Sequence, residues 1–301
     1  MKTKIARTKK EFRSKESGIR RKTAFILNSG FWILTPSLKL IVVFGLILFG
    51  AALFGLSGCQ GTKVRLQDSQ NHYEYGLLYL RNEKYNLAFS EFQKAGELNA
   101  KDARIYNGLG LTYYFQAKFP QAIQEYQRAL SLDPEYPEAY NNMAAALINK
   151  EEWAEVIRYA DKALSVASYT TPEFAHFNKG VAYYHLKEYE KAQSEFETSL
   201  ELESNYANTH YHLGLTLLER KQYPSAVKSF RKALELISLS EGGQPVNDPL
   251  FIESRYHLAI AYQQNKQNDL AAKEFQKVID LVPDSERAQD AQQHLNTLKM
   301  K

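Results

Sequence analysis

The stretch NGLGLTYYFQAKFPQAIQEYQRALSLDP, residues 107–134, carries the pattern from which the rest of the chain can be read. Gly110 is followed three residues on by Tyr113 and twelve residues on by Ala122, and Tyr126 comes four residues later. Apolar residues lie at helical spacing on both sides of Lys118-Phe119-Pro120, and Asp133-Pro134 ends the second run. This predicts two helices joined by a tight turn and closed by a proline that cannot continue the second. Small residues then have a physical role. Gly110 on the first helix and Ala122 on the second sit where the two cross closely, and a larger side chain at either place forces the pair apart.

The same pattern recurs along the chain. The Gly110 phase is occupied by Gly76, Gly110, Ala144, Gly180, Gly214 and Ala259, at spacings of 34, 34, 36, 34 and 45 residues. The Ala122 phase reads Ala88, Ala122, Val156, Ala192, Ala226 and Ala271, and four residues beyond come Phe92, Tyr126, Ala160, Phe196, Phe230 and Phe275. A fixed period of this length is the mark of a solenoid. The 34-residue period with this pattern resembles the tetratricopeptide repeat. That resemblance implies an all-α, right-handed superhelix of about six helix-turn-helix units, near 69–102, 103–136, 137–170, 173–206, 207–240 and 252–285, with a polar C-terminal cap helix over 286–301. The third unit departs most, with Ala160 where an aromatic is expected, and the 45-residue spacing places an insertion near 241–249.

Composition agrees with a packed chain. Of 301 residues, 44% are hydrophobic and 24% charged, with 15 Gly and 9 Pro, which argues against low-complexity disorder and collagen-like structure. A single Cys excludes an intramolecular disulfide and any zinc site needing two thiolates. The formal charge of +4 is unevenly distributed, because residues 1–58 hold 11 Lys/Arg and 2 Glu. From Cys59 onward 27 Lys/Arg face 32 Asp/Glu, a net charge of −5.

That N-terminal segment reads as an address. Basic residues up to Lys39 precede LIVVFGLILFGAALFGL, residues 40–56, the order of a basic n-region and an apolar h-region. The apolar run is also close to the roughly 20 residues that span a bilayer, so length alone leaves a retained single-pass inner-membrane helix open. Leu56-Ser57-Gly58-Cys59 resembles the bacterial lipobox. The resemblance implies cleavage after residue 58 and a lipid on Cys59, with 59–68 as a short tether, and Gln60 after the cysteine implies export to the outer membrane. Two or three acyl chains anchor a protein firmly where one does not. The basic run has no fold of its own, so no nucleic-acid partner is expected.

A stack of helix pairs places its first helices around a concave groove that holds a peptide or partner helix. On those helices a stripe at the fifth, ninth and twelfth positions of each unit turns toward the concavity. It contains Tyr73, Leu77 and Leu80 in the first unit and Asn107, Leu111 and Tyr114 in the second, with Phe115 beside them. Further along it has Phe177, Val181 and Tyr184, then Tyr211 and Leu215, and then Tyr256. Asn141 and Ala145 belong to the same stripe in the third unit. A mostly apolar stripe facing water marks a binding surface, unless tight winding buries it as core.

No chemistry competes with this reading. The seven histidines include no HExxH, and three of them, His72, His176 and His210, share one repeat phase, as packing or surface residues do. Gly108-Leu109-Gly110 lies inside a predicted helix with no strand before it, so it is no nucleotide loop. No catalytic residue, metal, cofactor or small-molecule substrate is expected. Six units behind a lipobox resemble the type IV pilus biogenesis and stability family, the pilotins, which help a secretin reach the outer membrane and multimerise. The resemblance implies a secretin as the groove's partner. A lipoprotein adaptor for peptidoglycan hydrolases or proteases fits the same residues.

Overall fold

The computed structural model describes residues 62–239 and 248–299. The expected signal segment, Cys59 and most of the 241–249 insertion lie outside these residues. The described residues form thirteen helices, and residues 68–301 make one compact unit. α1 covers residues 62–81. α2 (Tyr85–Leu98), α3 (Ala103–Phe115), α4 (Phe119–Leu132), α5 (Pro137–Ile148), α6 (Trp153–Ser165) and α7 (Pro172–His185) follow. Next come α8 (Tyr189–Leu202), α9 (Ala207–Glu219), α10 (Tyr223–Leu239), α11 (Pro249–Gln264), α12 (Asn268–Leu281) and α13 (Glu286–Lys299).

Helices pair as α3/α4 and onward to α11/α12, each second helix also packing on the first helix of the next pair, and α13 closes the stack against α12; α1 pairs with α2 through Gly76 against Phe92 and the Ser69 hydroxyl on the Ala95 carbonyl. The crossing is set by the small residues. Ala88, Ala122, Val156, Ala192, Ala226 and Ala271 are wholly buried, as are the rings of Phe92, Tyr126, Phe196, Phe230 and Phe275. Phe92 lies between two glycines, since a Cβ on Gly76 or on Gly108 would stand 2.6 Å from its ring. In the third unit Ala160 is wholly buried with Met143 and Ala144 in one cluster.

The turn inside every unit has one geometry. Glu83, Ala117, Glu151, Lys187, Lys221 and Lys266 all take a left-handed backbone with φ between 56° and 61°. Around each, the next residue's N–H reaches back five residues, as Lys118 does to the Tyr113 carbonyl at 2.9 Å and Gln222 to that of Leu217 at 2.8 Å. This is the Schellman end of a helix, normally made with glycine, and here six non-glycine residues adopt it.

Three helix starts differ from the sequence expectation. The described residues are helical from 62 onward, ahead of the expected 69, so most of the expected tether is helical; Lys63-Val64-Arg65-Leu66-Gln67 contains no helix breaker. α7 begins at Pro172, one residue ahead of the expected fourth unit, because proline is suited to a first helical position. α11 begins at Pro249, where the Asp248 side chain accepts a bond from the Leu250 N–H at 2.8 Å.

Candidate functional site

The first helices carry the expected stripe, and its members fall into three environments. Leu77 and Phe115 are exposed, at 37% and 52%. Tyr73, Leu80, Leu111, Tyr114, Phe177, Tyr184, Tyr211 and Leu215 are half-buried. Val181 and Tyr256 are buried, which corrects their assignment as groove-lining residues. Val181 is short and packs in the core cluster that also receives Phe177 and Tyr184. Tyr256 is covered by the cap helix, with the Arg287 guanidinium 4.3 Å from its ring and His294 edge-on at 6.1 Å.

Four of the expected residues meet. Leu111, Tyr114 and Phe115 on α3 and Phe177 on α7 line one pocket of about 320 Å³. Its other walls are Asn141, Asn142 and Ala145 on α5, Phe174 and Asn178 on α7, and Tyr206 just before α9. No lining residue is charged. The remaining stripe residues, Tyr73, Leu77, Leu80, Tyr184, Tyr211 and Leu215, lie outside it.

Local sequence positions these walls. Phe115 stacks on Tyr85 with centroids 5.9 Å apart, and Tyr114 meets both Phe115 and Phe119 edge-on at 5.6 Å. Tyr206 stands edge-on to Phe174 at 5.4 Å and to Phe177 at 5.3 Å. Between them runs a set of side-chain amides. Asn178, almost fully buried, donates to the Asn141 side-chain oxygen Oδ1 at 2.9 Å; Asn142 donates to Asn107 Oδ1 at 2.9 Å, and Asn107 donates to the Tyr136 hydroxyl at 3.1 Å. Tyr126 also reaches the wall, and its wholly buried hydroxyl has no partner. Burial raises the Tyr126, Tyr114 and Tyr206 phenols, so all three stay neutral. Asn142, Asn178, Phe174 and Tyr206 lie outside the expected stripe. Asn141 and Ala145 belong to it: Ala145 is its smallest residue, and Asn141 shares with Asn107 an amide where the other four units carry an aromatic ring.

The histidine phase resolves into a structural device. His72 pairs with Glu91 at 2.5 Å, His176 with Glu195 at 2.7 Å and Arg255 with Glu274 at 2.5 Å, each reaching nineteen residues on, from first helix to second. Burial pushes the Glu195 carboxyl up, but bonds from His176 and Lys179 outweigh it and hold the group below the ordinary carboxylate range. In the second unit Tyr106 stands in place of the cation, and Glu125 keeps a buried oxygen without a partner; burial raises its carboxyl. His210 bonds instead to the Ser204 carbonyl at 2.9 Å. A larger cleft of about 1030 Å³ lies between α8 and α10, but Glu197, Lys228, Arg231, Lys232 and Glu235 line it. Both signs of charge there suit solvent rather than an apolar ligand. No described helix is long and apolar enough to cross a membrane.

Models of the tetratricopeptide repeat match residues 112–150, 170–238 and 253–285. No curated protein matches the sequence. Among solved structures the chain is similar to PilF of Pseudomonas aeruginosa, at 21% identity and a TM-score of 0.63, over 76% of this chain and 98% of that one. It is similar to PilW, described as a widely conserved type IV pilus biogenesis factor, at 20% identity and a TM-score of 0.65, over 74% and 97%. YrrB, described as a TPR protein with an unusual peptide-binding site, aligns at 22% identity with a TM-score of 0.50 over 67% and 97%. Likenesses at such identities establish fold. The helix pairs, their period and the matched segments together make this chain an all-α superhelix built of tetratricopeptide repeats.

Proposed function

We propose that this protein is a non-enzymatic, lipid-anchored scaffold that faces the periplasm from the outer membrane and assists assembly of a type IV pilus secretin. The observation that carries the reading is the occurrence, in one sequence, of Leu56-Ser57-Gly58-Cys59, which resembles a lipobox, and a repeat stack with an uncharged aromatic pocket. A concave pocket of about 320 Å³ lined by aromatic rings and amides suits a segment of a protein partner. The likeness to PilF and PilW supports the pilus context. In this reading acylated Cys59 supplies the membrane attachment and the groove supplies the partner.

The test is whether heat-resistant secretin multimers still form in the outer membrane when the gene is deleted, and when only Cys59→Ala is introduced. Loss in both supports an anchored pilotin-like role. Normal multimers in both retire the secretin and leave a general envelope adaptor. A second reading, a retained inner-membrane anchor, is favoured by the uncharged run from Leu40 to Thr62. The intact mass of membrane-extracted protein separates the two, because cleavage and acylation change it together.

A further inference from the structure

The third unit is the least bulky on the concave side of the pocket. At the phase of Ala145 the other units carry Leu77, Leu111, Val181, Leu215 and Ile260, and at the phase of Asn141 four of them carry Tyr73, Phe177, Tyr211 and Tyr256, while the second carries Asn107. A methyl group and an amide thus stand together where most units carry two bulky side chains, and both line the pocket. Packing alone gives no reason for this, since buried repeat interfaces are filled to near crystal density.

Size, charge and hydrogen bonding say what the space would take. Its volume of about 320 Å³ is roughly twice the 150 Å³ of a dry cavity that admits benzene. That is room for one large side chain and some of its main chain. The rim keeps Phe115 and Phe174 exposed, at 52% and 37%, offering ring faces and edges. With no charged side chain in the lining, an entering carboxylate or ammonium would lose its hydration without a counter-charge. Asn178 fixes the Asn141 amide by donating to its oxygen, which leaves the Asn141 N–H groups without a partner among the described residues. They are donors in position for a carbonyl.

We infer that this pocket is a subsite for one bulky uncharged side chain, aromatic by preference, of an extended partner segment whose main-chain carbonyl is held by Asn141. The inference rests on the groove reading and names what the groove selects.

The experiment titrates the detergent-solubilised full chain with N-acetyl-phenylalaninamide and N-acetyl-tryptophanamide, followed by saturation-transfer NMR, with the lysine and glutamate analogues for comparison. Ala145→Leu fills the pocket with the residue that three other units carry at this phase. It is expected to melt as wild type and to bind the aromatic amides at least tenfold more weakly. Asn141→Ala is expected to weaken the amides several-fold while leaving toluene, which has no carbonyl, unchanged. If Ala145→Leu fails to fold, Ala145→Val fills part of the space with the residue of the fourth unit and gives the same comparison. Equal binding by wild type and the filled variant, no binding by wild type, or equal binding of the charged analogues would each overturn the inference. The multimer assay reports on the groove reading separately. Aromatic binding lost in Ala145→Leu, beside normal multimers in the deletion strain, keeps the pocket and retires the secretin; the reverse pattern keeps the secretin and retires the pocket.

Discussion

Gly180→Ala and Gly96→Ala are the same chemical change in two helices, and the structure gives them opposite signs. A Cβ on Gly180 would stand 2.5 Å from Phe196 Cε1, 2.6 Å from Cδ1 and 2.9 Å from Cζ. Carbon atoms in contact prefer about 3.5–4.0 Å, so the ring would have to retreat by about 1 Å. It has nowhere to go, because Phe196 is wholly buried and the His212 ring stacks on it at 5.9 Å. Overpacking of this kind costs about 1–3 kcal/mol, and the better helix propensity of alanine returns about 1 kcal/mol. The net expectation is a loss of up to about 2 kcal/mol. On Gly96 the nearest atoms would be Ile105 Cγ2 at 3.7 Å and the Tyr106 hydroxyl at 3.9 Å, ordinary contacts, so only the propensity term remains and stability rises by about 0.5–1 kcal/mol. Unit 6 carries both Ala259 and Phe275. The backbone can therefore be set for that pair, and the cost at Gly180 is that of resetting it. Urea titration followed by helical circular dichroism reads both variants against wild type. If the two midpoints moved in the same direction by similar amounts, the glycine would not be setting the helix crossing and the packing argument would fail.

Three further outcomes follow from single residues. Tyr126→Phe removes a wholly buried hydroxyl without a partner, from a position where four other units already have Phe, and should raise the urea midpoint by about 1 kcal/mol in stability. Lys221→Gly relieves a left-handed backbone at φ 59° and should add about 0.5–1 kcal/mol, whereas no change would mean that the turn carries little strain. Burial pushes the His212 imidazole down to about 4, with His185 adding to the shift. The unfolded chain therefore binds more protons between pH 6.5 and 4, and stability falls as pH drops through that window, by up to about 2 kcal/mol at pH 5 from this group. His212→Phe should flatten the difference between urea midpoints at pH 7 and pH 5, and an unchanged slope would place the acid sensitivity elsewhere.

The architecture was legible because repetition multiplies a weak signal. Any one Gly at the Gly110 phase predicts little, but six small residues in register with six at the Ala122 phase can only be a repeated helix crossing. The turns were less legible. Their left-handed residue is Glu, Ala or Lys, so the glycine that normally marks a helix end is missing, and the turn is held by the local bond from the next residue's N–H to the carbonyl five residues back. The histidine phase was legible as a phase only. That His72 and His176 reach Glu91 and Glu195 depends on a separation of nineteen residues across a turn, which becomes a contact only when the helix crossing is known.

The concave stripe shows where period reasoning stops. One phase predicts one direction for a side chain, but exposure depends on what stands opposite, and that differs from unit to unit. Tyr256 shares its phase with Tyr73 and Tyr211 yet is covered, because the cap helix places Arg287 over its ring. Val181 shares its phase with Leu77 yet is buried, because a short side chain does not rise above the core around it. Agreement among units therefore identifies the residues that hold the stack together. Disagreement carries different information: Asn141 and Ala145 together give up apolar volume that most of their counterparts supply, on the face that the fold leaves open. A repeat protein's selectivity should be sought first at such positions, where one unit breaks the pattern and the resulting space is neither filled by neighbours nor lined with charge.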